Sequence, residues 1–176
     1  MIYPPFPADE HERIATLHAL GILDTGREPS FDQVTDWASN YFQVPIALVT
    51  LVDHDRQWFK SACGLDTPET SREVSFCAHT VVDRQLMVVE NALLDPRFFD
   101  NPLVTGEPFI RFYAGVPLLL NGQALGTFCL IDNRPRRLDG EERAKLTAIA
   151  RLVAELIEQQ APPSYRPQQG SLRRMA

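Results

Sequence analysis

The 176-residue sequence has few of the features that mark membrane or secreted proteins. Its apolar runs are far shorter than the roughly 20 residues that a membrane-spanning helix needs. The N-terminal residues contain neither the basic region nor the apolar segment of a signal peptide. We therefore expect a cytoplasmic protein that does not contact a membrane.

Cysteine is also scarce, because the chain contains only Cys63, Cys77 and Cys129. An odd number of cysteines without an export signal favours reduced thiols over disulfides. No two of them have zinc-finger spacing, and the chain has no glycine-rich phosphate loop. The sequence therefore predicts no metal site.

Basic residues are the minority, with 17 Lys and Arg against 23 Asp and Glu and a net charge of −6. Residues 161–176 carry Arg166, Arg173 and Arg174 but no acidic residue, so residues 1–160 have a net charge of −9. A body of that charge repels phosphate backbones. We therefore expect no nucleic-acid partner.

The composition, 44% hydrophobic and 23% charged, is typical of one globular domain. Residues 161–176 are rich in Pro, Gln and Arg and lack an apolar period, so we predict a flexible tail there. Residues 1–8 are assigned to an N-terminal extension. The folded domain is therefore predicted over residues 9–160, without an internal repeat.

Three longer helices are predicted from capping residues and apolar spacing. The first begins at Asp9, because Asp9 and Glu12 have the spacing of a capping box. Asp139 and Glu142 have the same spacing at the start of the last helix, whose wide apolar stripe can pack on a sheet and on a second chain. The second helix begins at Ser30 as its cap. Its predicted apolar face consists of Phe31, Val34, Ala38, Tyr41 and Phe42.

Apolar and β-branched runs predict the main strands. Ile46–Val52 is continuous, which indicates burial on both faces, and Gln57–Ala62 follows it after a short turn. Ala114–Leu120 and Ala124–Ile131 are joined by Asn121-Gly122, a pair that favours a type I′ hairpin. Tight turns between neighbouring strands predict an antiparallel sheet.

Shorter elements complete the prediction. Ser75 is expected to cap a short helix, and Leu86–Glu90 to form a short strand. Pro117 lies within a predicted strand, which indicates an edge or bulge position. Residues 91–111 are irregular but contain several aromatic and aliphatic side chains, so we expect them to be packed. Helices at both ends of an antiparallel sheet predict an α+β sandwich.

The sequence also contains an ordered set of short motifs: Pro45–Val49, Asp53–Ser61, Ser75–His79, Asp95–Phe98, Asn101–Val104, Arg111–Gly115, Pro117-Leu118 and Gly122–Asp132. Together they resemble the GAF domain family, in the bacterial signalling branch found before diguanylate cyclases and sensor histidine kinases. The resemblance implies a central antiparallel sheet of five or six strands, with the terminal helices on one face and a small-molecule pocket on the other. It also implies a homodimer through the terminal helices, but no particular ligand or cofactor.

Candidate pocket residues follow from this resemblance. They are Phe59, Phe76, Cys77, His79, Asp95, Asn101, Arg111 and Tyr113. Asp95 and Asn101 also favour turns and are expected to hold the surrounding loop in place. In an extended strand, Gln57 and Phe59 face one side, and Trp58 and Lys60 face the other.

Structural roles compete with ligand binding at several of these positions. Cys77 and His79 are two residues apart on a helix and lie on different faces, so they do not form a nucleophile–base pair. Cys77 is then a buried hydrophobe and His79 is hydrogen-bonded locally, or one of them faces a ligand. Arg111 binds a carboxylate or phosphate, or it pairs with Asp95 or Asp53.

We therefore predict a non-catalytic sensory module that binds a small molecule or acts as a dimeric adaptor for a signalling output protein. No cyclase, kinase or receiver segment follows the last predicted helix, so we expect a stand-alone protein. One alternative is a thiol enzyme of the free methionine sulfoxide reductase type, in which Cys63 and Cys77 would pair because Cys129 falls inside a strand. Another is a structural dimerisation module with a collapsed pocket. The family's cyclic-nucleotide and bilin motifs are absent, which disfavours those ligands.

Overall fold

The computed structural model of the chain describes residues 1–163 and 165, so most of the predicted tail lies outside the described residues. The α-helices are α1 (Glu10–Ala19), α2 (Pro29–Phe42), α3 (Phe76–Asp83), α4 (Pro102–Thr105) and α5 (Gly140–Gln160). The strands are β1 (Ile46–Val52), β2 (Arg56–Cys63), β3 (Glu69–Ser71), β4 (Met87–Val89), β5 (Phe112–Leu120) and β6 (Gln123–Asp132). Two 3-10 turns lie at Arg72–Val74 and Ala92–Leu94.

The six strands form one antiparallel sheet in the order β3-β2-β1-β6-β5-β4. β1 lies in the middle, hydrogen-bonded to β2 on one side and β6 on the other. All seven of its residues are buried, as its unbroken apolar sequence predicted. The predicted α+β fold with a sheet of five or six strands is confirmed.

The β5–β6 hairpin forms as predicted. Asn121 and Gly122 have φ of 50° and 76°, the two positive values that a type I′ turn requires. β4 pairs only with Tyr113–Gly115, so Pro117 lies beyond its end with an open edge on that side. The missing N–H of Pro117 therefore costs no hydrogen bond to β4.

The terminal helices α1, α2 and α5 pack against one face of the sheet, the helix side. Leu17, Phe31 and Leu146 contribute one fully buried residue from each helix. The Asp139 carboxylate accepts the Glu142 N–H at 2.8 Å while Glu142 bonds back to the Asp139 N–H at 2.9 Å, so the predicted capping box of α5 is confirmed.

A β-bulge in β2 serves the helix side. Thr50 pairs with Phe59 and Val49 pairs with Ser61, so Lys60 is the extra residue. The side chains of Lys60 and Ser61 therefore both turn toward the helices. Ser61 donates to Asp32 at 2.7 Å, and Lys60 Nζ contacts Glu28 at 2.5 Å. Trp58 joins the same core, which confirms the predicted division of faces along this strand.

The opposite face, here called the ligand side after the pocket that is predicted on it, is covered by α3 and by residues 91–111. Ser75 caps α3 by accepting the Ala78 N–H at 3.0 Å, as predicted. Phe98, Val104 and Ile110 are buried, which confirms that the long irregular stretch is packed.

Three local predictions were wrong. The Asp9 side chain makes no cap bond to α1, because it is ion-paired with Arg84. α2 begins one residue before Ser30, at Pro29, a residue favoured in the first helical turn. Tyr41 is exposed rather than part of the apolar face of α2. The sequence also contains no signal for β3, because all three of its residues are polar.

Candidate functional site

The ligand side contains a cavity of about 400 Å³, here called the sheet-face cavity. Its apolar residues are Ile46, Leu48, Phe59, Leu65, Leu103, Pro108, Ile110 and Ile131. Its floor is formed by the side chains of β1, β2 and β6 that point to this face of the sheet. One wall is the β2–β3 connection, and the other is the segment between α4 and β5.

Polar groups occupy one corner and the mouth of the cavity. Gln57 Nε2 donates to Thr70 Oγ1 at 2.8 Å, and Gln57 Oε1 accepts from Ser75 Oγ at 2.5 Å. Asp66 and Glu107 are exposed at the mouth. Among the described residues, no lysine, arginine or histidine lines the cavity. Its electrostatics therefore favour neutral or cationic molecules over anions.

Both walls are held by local features of the chain. Gly64 has φ of +78°, and a Cβ there would lie 1.9 Å from the Pro45 carbonyl oxygen, so only glycine permits this turn into the first wall. Asn101 caps α4 by accepting the Leu103 N–H at 2.8 Å and donates to the Val74 carbonyl at 3.0 Å. The second wall is thereby tied to the segment before α3, and the loop-holding role predicted for Asn101 is confirmed.

A buried polar cluster, here called the thiol cluster, lies beside the cavity on the same face. It consists of Cys77, Cys129, Tyr113 and Thr80. The sulfur atoms of Cys77 and Cys129 are 3.8 Å apart. Tyr113 Oη donates to Cys77 Sγ at 3.5 Å and lies 3.0 Å from Thr80 Oγ1. Gly115 makes room for this tyrosine, since a Cβ there would lie 2.0 Å from Tyr113 Oη.

The two thiols of this cluster differ in acidity. Burial raises the pKa of Cys77, but hydrogen bonds from Cys129, Thr127 and Tyr113 outweigh it and lower the pKa below the usual thiol value. Burial raises the pKa of Cys129 well above that value. Of the two thiols, Cys77 is the one that accepts the Tyr113 hydroxyl, which favours a thiolate at its sulfur.

His79 and Asp95 belong to a different group, near the N-terminus of the chain. His79 Nε2 lies 3.2 Å from the Ile2 carbonyl oxygen, so its hydrogen bond is not local as predicted. Burial lowers the pKa of His79, and the positive charge of Arg97 adds to this effect. Asp95 accepts the Arg97 N–H at 2.9 Å and pairs with its guanidinium at 2.8 Å. Burial raises the pKa of Asp95, but these bonds lower it below its usual value.

The structure does not bring the eight predicted pocket residues together. Phe59 lines the sheet-face cavity. Phe76, Cys77 and Tyr113 are buried beside it in the ligand-side core, and the remaining four are not among the residues that line it: His79, Asp95, Asn101 and Arg111. Ile46 and Leu48, which the prediction missed, were recognisable as the residues of β1 that share one face.

Two predicted pairings were wrong. Arg111 pairs with neither Asp95 nor Asp53, because its Nη1 donates to the carbonyl oxygens of Val104 and Ile110 at 2.9 and 3.0 Å. The neighbour of Cys77 is Cys129 rather than Cys63, which lies near Ser39 and Asp36 of α2 on the other side of the sheet. Although Cys129 lies in strand β6, its side chain contacts the helix α3 that packs on this face of the sheet.

The described residues offer neither a metal-binding cluster nor a membrane-spanning helix. Within residues 1–163 and 165, no group of three or more His, Cys, Asp or Glu side chains is arranged to hold a metal ion. In the same part of the chain, no helix has the length and apolar character needed to cross a bilayer.

Comparison with known proteins gives consistent matches. A sequence model described as the GAF domain matches residues 26–157. A cyclic di-GMP phosphodiesterase of Pseudomonas aeruginosa is 46% identical over 167 residues, which are 94% of this chain but 28% of that protein. The chain therefore spans about a quarter of the length of this curated relative.

Solved structures match over most of the chain. The GAF domain of a phosphoenolpyruvate-protein phosphotransferase from Coxiella burnetii superposes with a TM-score of 0.65 at 14% identity, covering 85% of this chain and 94% of that one. Free methionine-R-sulfoxide reductase of Neisseria meningitidis, in complex with its substrate, gives 0.64 at 15% identity, covering 91% and 98%. At these identities, the two likenesses show a shared fold.

Proposed function

Because this chain belongs to the GAF domain family and resembles domains of bacterial signalling proteins, we propose that it is a non-catalytic sensory module. It binds a small molecule in the sheet-face cavity and passes the signal to an output protein in the cytoplasm. The observation that carries the proposal is the cavity itself, which is open on the face opposite the terminal helices. A structural dimerisation module would have no need of it.

The chemistry of the cavity narrows the ligand class. A volume of about 400 Å³ suits a small organic molecule, and the apolar floor favours a ring or branched chain. Gln57 offers one amide in a corner of the cavity, and Asp66 and Glu107 place negative charge at the mouth. The proposed ligand is therefore apolar over most of its surface and neutral or cationic at its polar end.

Native mass spectrometry of the purified chain tests for a retained ligand. A thermal-shift assay then compares three probe molecules: 2-phenylethylamine, 2-phenylethanol and phenylacetate. They share one aromatic ring and differ in charge. We expect stabilisation by the amine or the alcohol and none by the carboxylate. Leu65→Trp narrows the cavity from its wall and should remove the shift, whereas the exposed Leu94→Trp should retain it.

Each other outcome contradicts part of the proposal. Preferential binding of phenylacetate would overturn the charge argument. If no molecule is retained and Leu65→Trp changes nothing, the structural dimerisation module is favoured instead.

The thiol-enzyme alternative makes a separate prediction. A reductase of that type needs a nucleophilic thiol in contact with its substrate, and none of the three cysteines is among the residues that line the sheet-face cavity. We expect no turnover of free methionine-R-sulfoxide with dithiothreitol as reductant. Turnover by the wild type that is lost in Cys77→Ser would replace the sensory proposal.

A homodimer through the terminal helices is part of the proposal. Trp37 and Tyr41 are exposed, and their rings stack with centroids 4.9 Å apart. Lys145 of α5 lies over the Tyr41 ring, and Leu152, two turns further on, is exposed on the same face of α5. An aromatic and aliphatic surface that spans two helices suits a second copy of the chain.

Multi-angle light scattering measures this dimer directly. The pair of changes Trp37→Glu and Leu152→Glu should convert it to a monomer, and Leu94→Glu, on the other side of the molecule, should not. A wild-type chain that stays monomeric at high concentration would remove the dimer from the proposal.

The identity of the output protein is inferred from the relative. Because the matched Pseudomonas aeruginosa protein is a cyclic di-GMP phosphodiesterase, we propose that the signal from this module controls an enzyme of cyclic di-GMP turnover. The wild-type chain and the Leu65→Trp variant are each co-expressed with such an enzyme. We expect the cellular concentration of cyclic di-GMP to differ between the two. No difference between the two would contradict this link.

A further inference from the structure

We propose that Cys77 and Cys129 form a redox-modification site, at which a hydroperoxide converts the two buried thiols into a reversible intramolecular disulfide. The inference goes beyond the sensory proposal, since the thiols lie outside the sheet-face cavity. It concerns a pair of groups that the sensory proposal does not use.

Geometry is the first support. The two sulfur atoms are 3.8 Å apart, and a disulfide bond is about 2 Å long, so a small approach of α3 to β6 closes the bond. Both side chains point into the same core and are 2% and 0% exposed. Burial shields the pair from other thiols, which favours an intramolecular product. Cys63 is partly exposed and lies on the other side of the sheet.

The surroundings assign different roles to the two cysteines. Tyr113 Oη donates to Cys77 Sγ and stabilises a thiolate there. The lowered pKa of Cys77 and the raised pKa of Cys129 agree with this asymmetry. Cys77 is therefore the attacking sulfur and Cys129 the resolving one.

The chemistry balances with hydrogen peroxide as the oxidant. The Cys77 thiolate attacks one peroxide oxygen, the O–O bond breaks, and the departing hydroxide takes a proton to leave as water. Cys77 is now a sulfenic acid. Cys129 then attacks the Cys77 sulfur, the S–S bond forms, the S–O bond breaks, and a second water leaves with the Cys129 proton. The thiols lose two electrons in total, and the peroxide gains them.

The site also lies where it can affect the cavity. Leu48, in the cavity floor, is the cross-strand partner of Cys129. Ile131, also in the floor, is two residues further along β6. A disulfide that draws α3 onto β6 therefore moves residues directly beside the floor.

The experiment treats the purified full chain with hydrogen peroxide. The chain is then unfolded and alkylated with N-ethylmaleimide, and its mass and peptides are measured. We expect the loss of two alkylatable thiols per chain and one linked peptide pair containing Cys77 and Cys129. Dithiothreitol should restore both thiols, and Cys63→Ser should behave as the wild type.

The Cys129→Ala variant separates the two steps. We expect it to accumulate a sulfenic acid at Cys77 that dimedone traps, with no disulfide. If this variant fails to fold, peptide mapping of the wild type still tests the proposal. If both thiols remain fully alkylatable while Cys63 is oxidised, or if only intermolecular disulfides form, the proposal is overturned.

Discussion

The helix side of the sheet buries more aromatic and aliphatic side chains than the ligand side, and the two faces also treat polar groups differently. On the helix side, the buried polar groups include full charges: Arg13 and Lys60 are buried and paired with Glu10 and Glu28. On the ligand side, the buried polar groups of the thiol cluster are hydroxyls and thiols, joined to one another.

The cavity adds a second difference between the faces. The helix side is formed by three helices of ten or more residues, packed onto the sheet. The ligand side is covered by α3 with eight residues, by α4 with four, and by loops, which leave the sheet-face cavity between them. Because stability is concentrated on the helix side, the ligand side can keep a space for a small molecule. A close-packed core on both faces would be more stable but would have no room for a ligand.

The largest expected effect comes from two adjacent residues on opposite faces. Trp58 and Phe59 are each 7% exposed, but Trp58 packs in the helix-side core and Phe59 borders the cavity. Trp58→Ala should lower the free energy of unfolding by about 3–5 kcal/mol. Phe59→Ala should cost about 1–2 kcal/mol less, because part of its ring already lacks neighbours. Urea unfolding measures both, and equal losses would show that the faces are equally packed.

Acid should affect the paired charges of the helix side. Burial raises the pKa of Glu10, but hydrogen bonds from Arg13 and Arg72 outweigh it, so the folded pKa lies below the usual value. The resulting stability is present above the usual glutamate pKa and is lost as pH falls through the lowered value. Glu10→Gln leaves two buried guanidinium groups without this carboxylate and should cost about 3 kcal/mol at neutral pH.

Unfolding in urea across the acidic range checks this dependence. The difference between wild type and Glu10→Gln should shrink as the pH falls, while the exposed Glu12→Gln should match the wild type throughout. A difference that stays constant with pH would show that the Glu10 carboxylate charge contributes nothing to the free energy of unfolding.

The smallest expected difference compares the caps of one helix on each face. Asp139 caps α5 at the surface, so Asp139→Ala should cost about 1 kcal/mol. Ser75 caps α3, is buried, and also donates to Gln57. Ser75→Ala should therefore cost about 2 kcal/mol, since Gln57 loses a partner as well. Thermal unfolding of both variants measures this, and a larger loss for Asp139→Ala would contradict it.

Much of the fold was predictable because its signals are local. The unbroken apolar run of β1, the Asn121-Gly122 turn and the Asp139 capping box each depend on residues within a few positions of one another. The motif order then assigned these elements to one family. Alternation along β2 placed Trp58 and Phe59 on their correct faces.

The candidate site was harder to predict because its contacts join distant residues. Asp9 has the spacing of a cap, but Arg84, 75 residues away, takes its carboxylate. Cys77 and Cys129 are 52 residues apart, and only the packing of α3 on β6 brings them together. Six of the cavity-lining side chains are Ile or Leu, and such residues carry no chemical mark that separates a ligand pocket from an ordinary core.

The short length of β4 has a consequence for how copies of the chain meet. An unpaired strand offers its backbone groups to any other strand and is a common starting point for aggregation. Within the described residues, β4 pairs with β5 only at Tyr113–Gly115, and Pro117, beyond that stretch, has no N–H to donate to an incoming strand. Pro117→Val should therefore leave the folded domain intact but increase its tendency to form insoluble assemblies during expression. We therefore expect this proline to act as a barrier to unwanted self-association through the sheet.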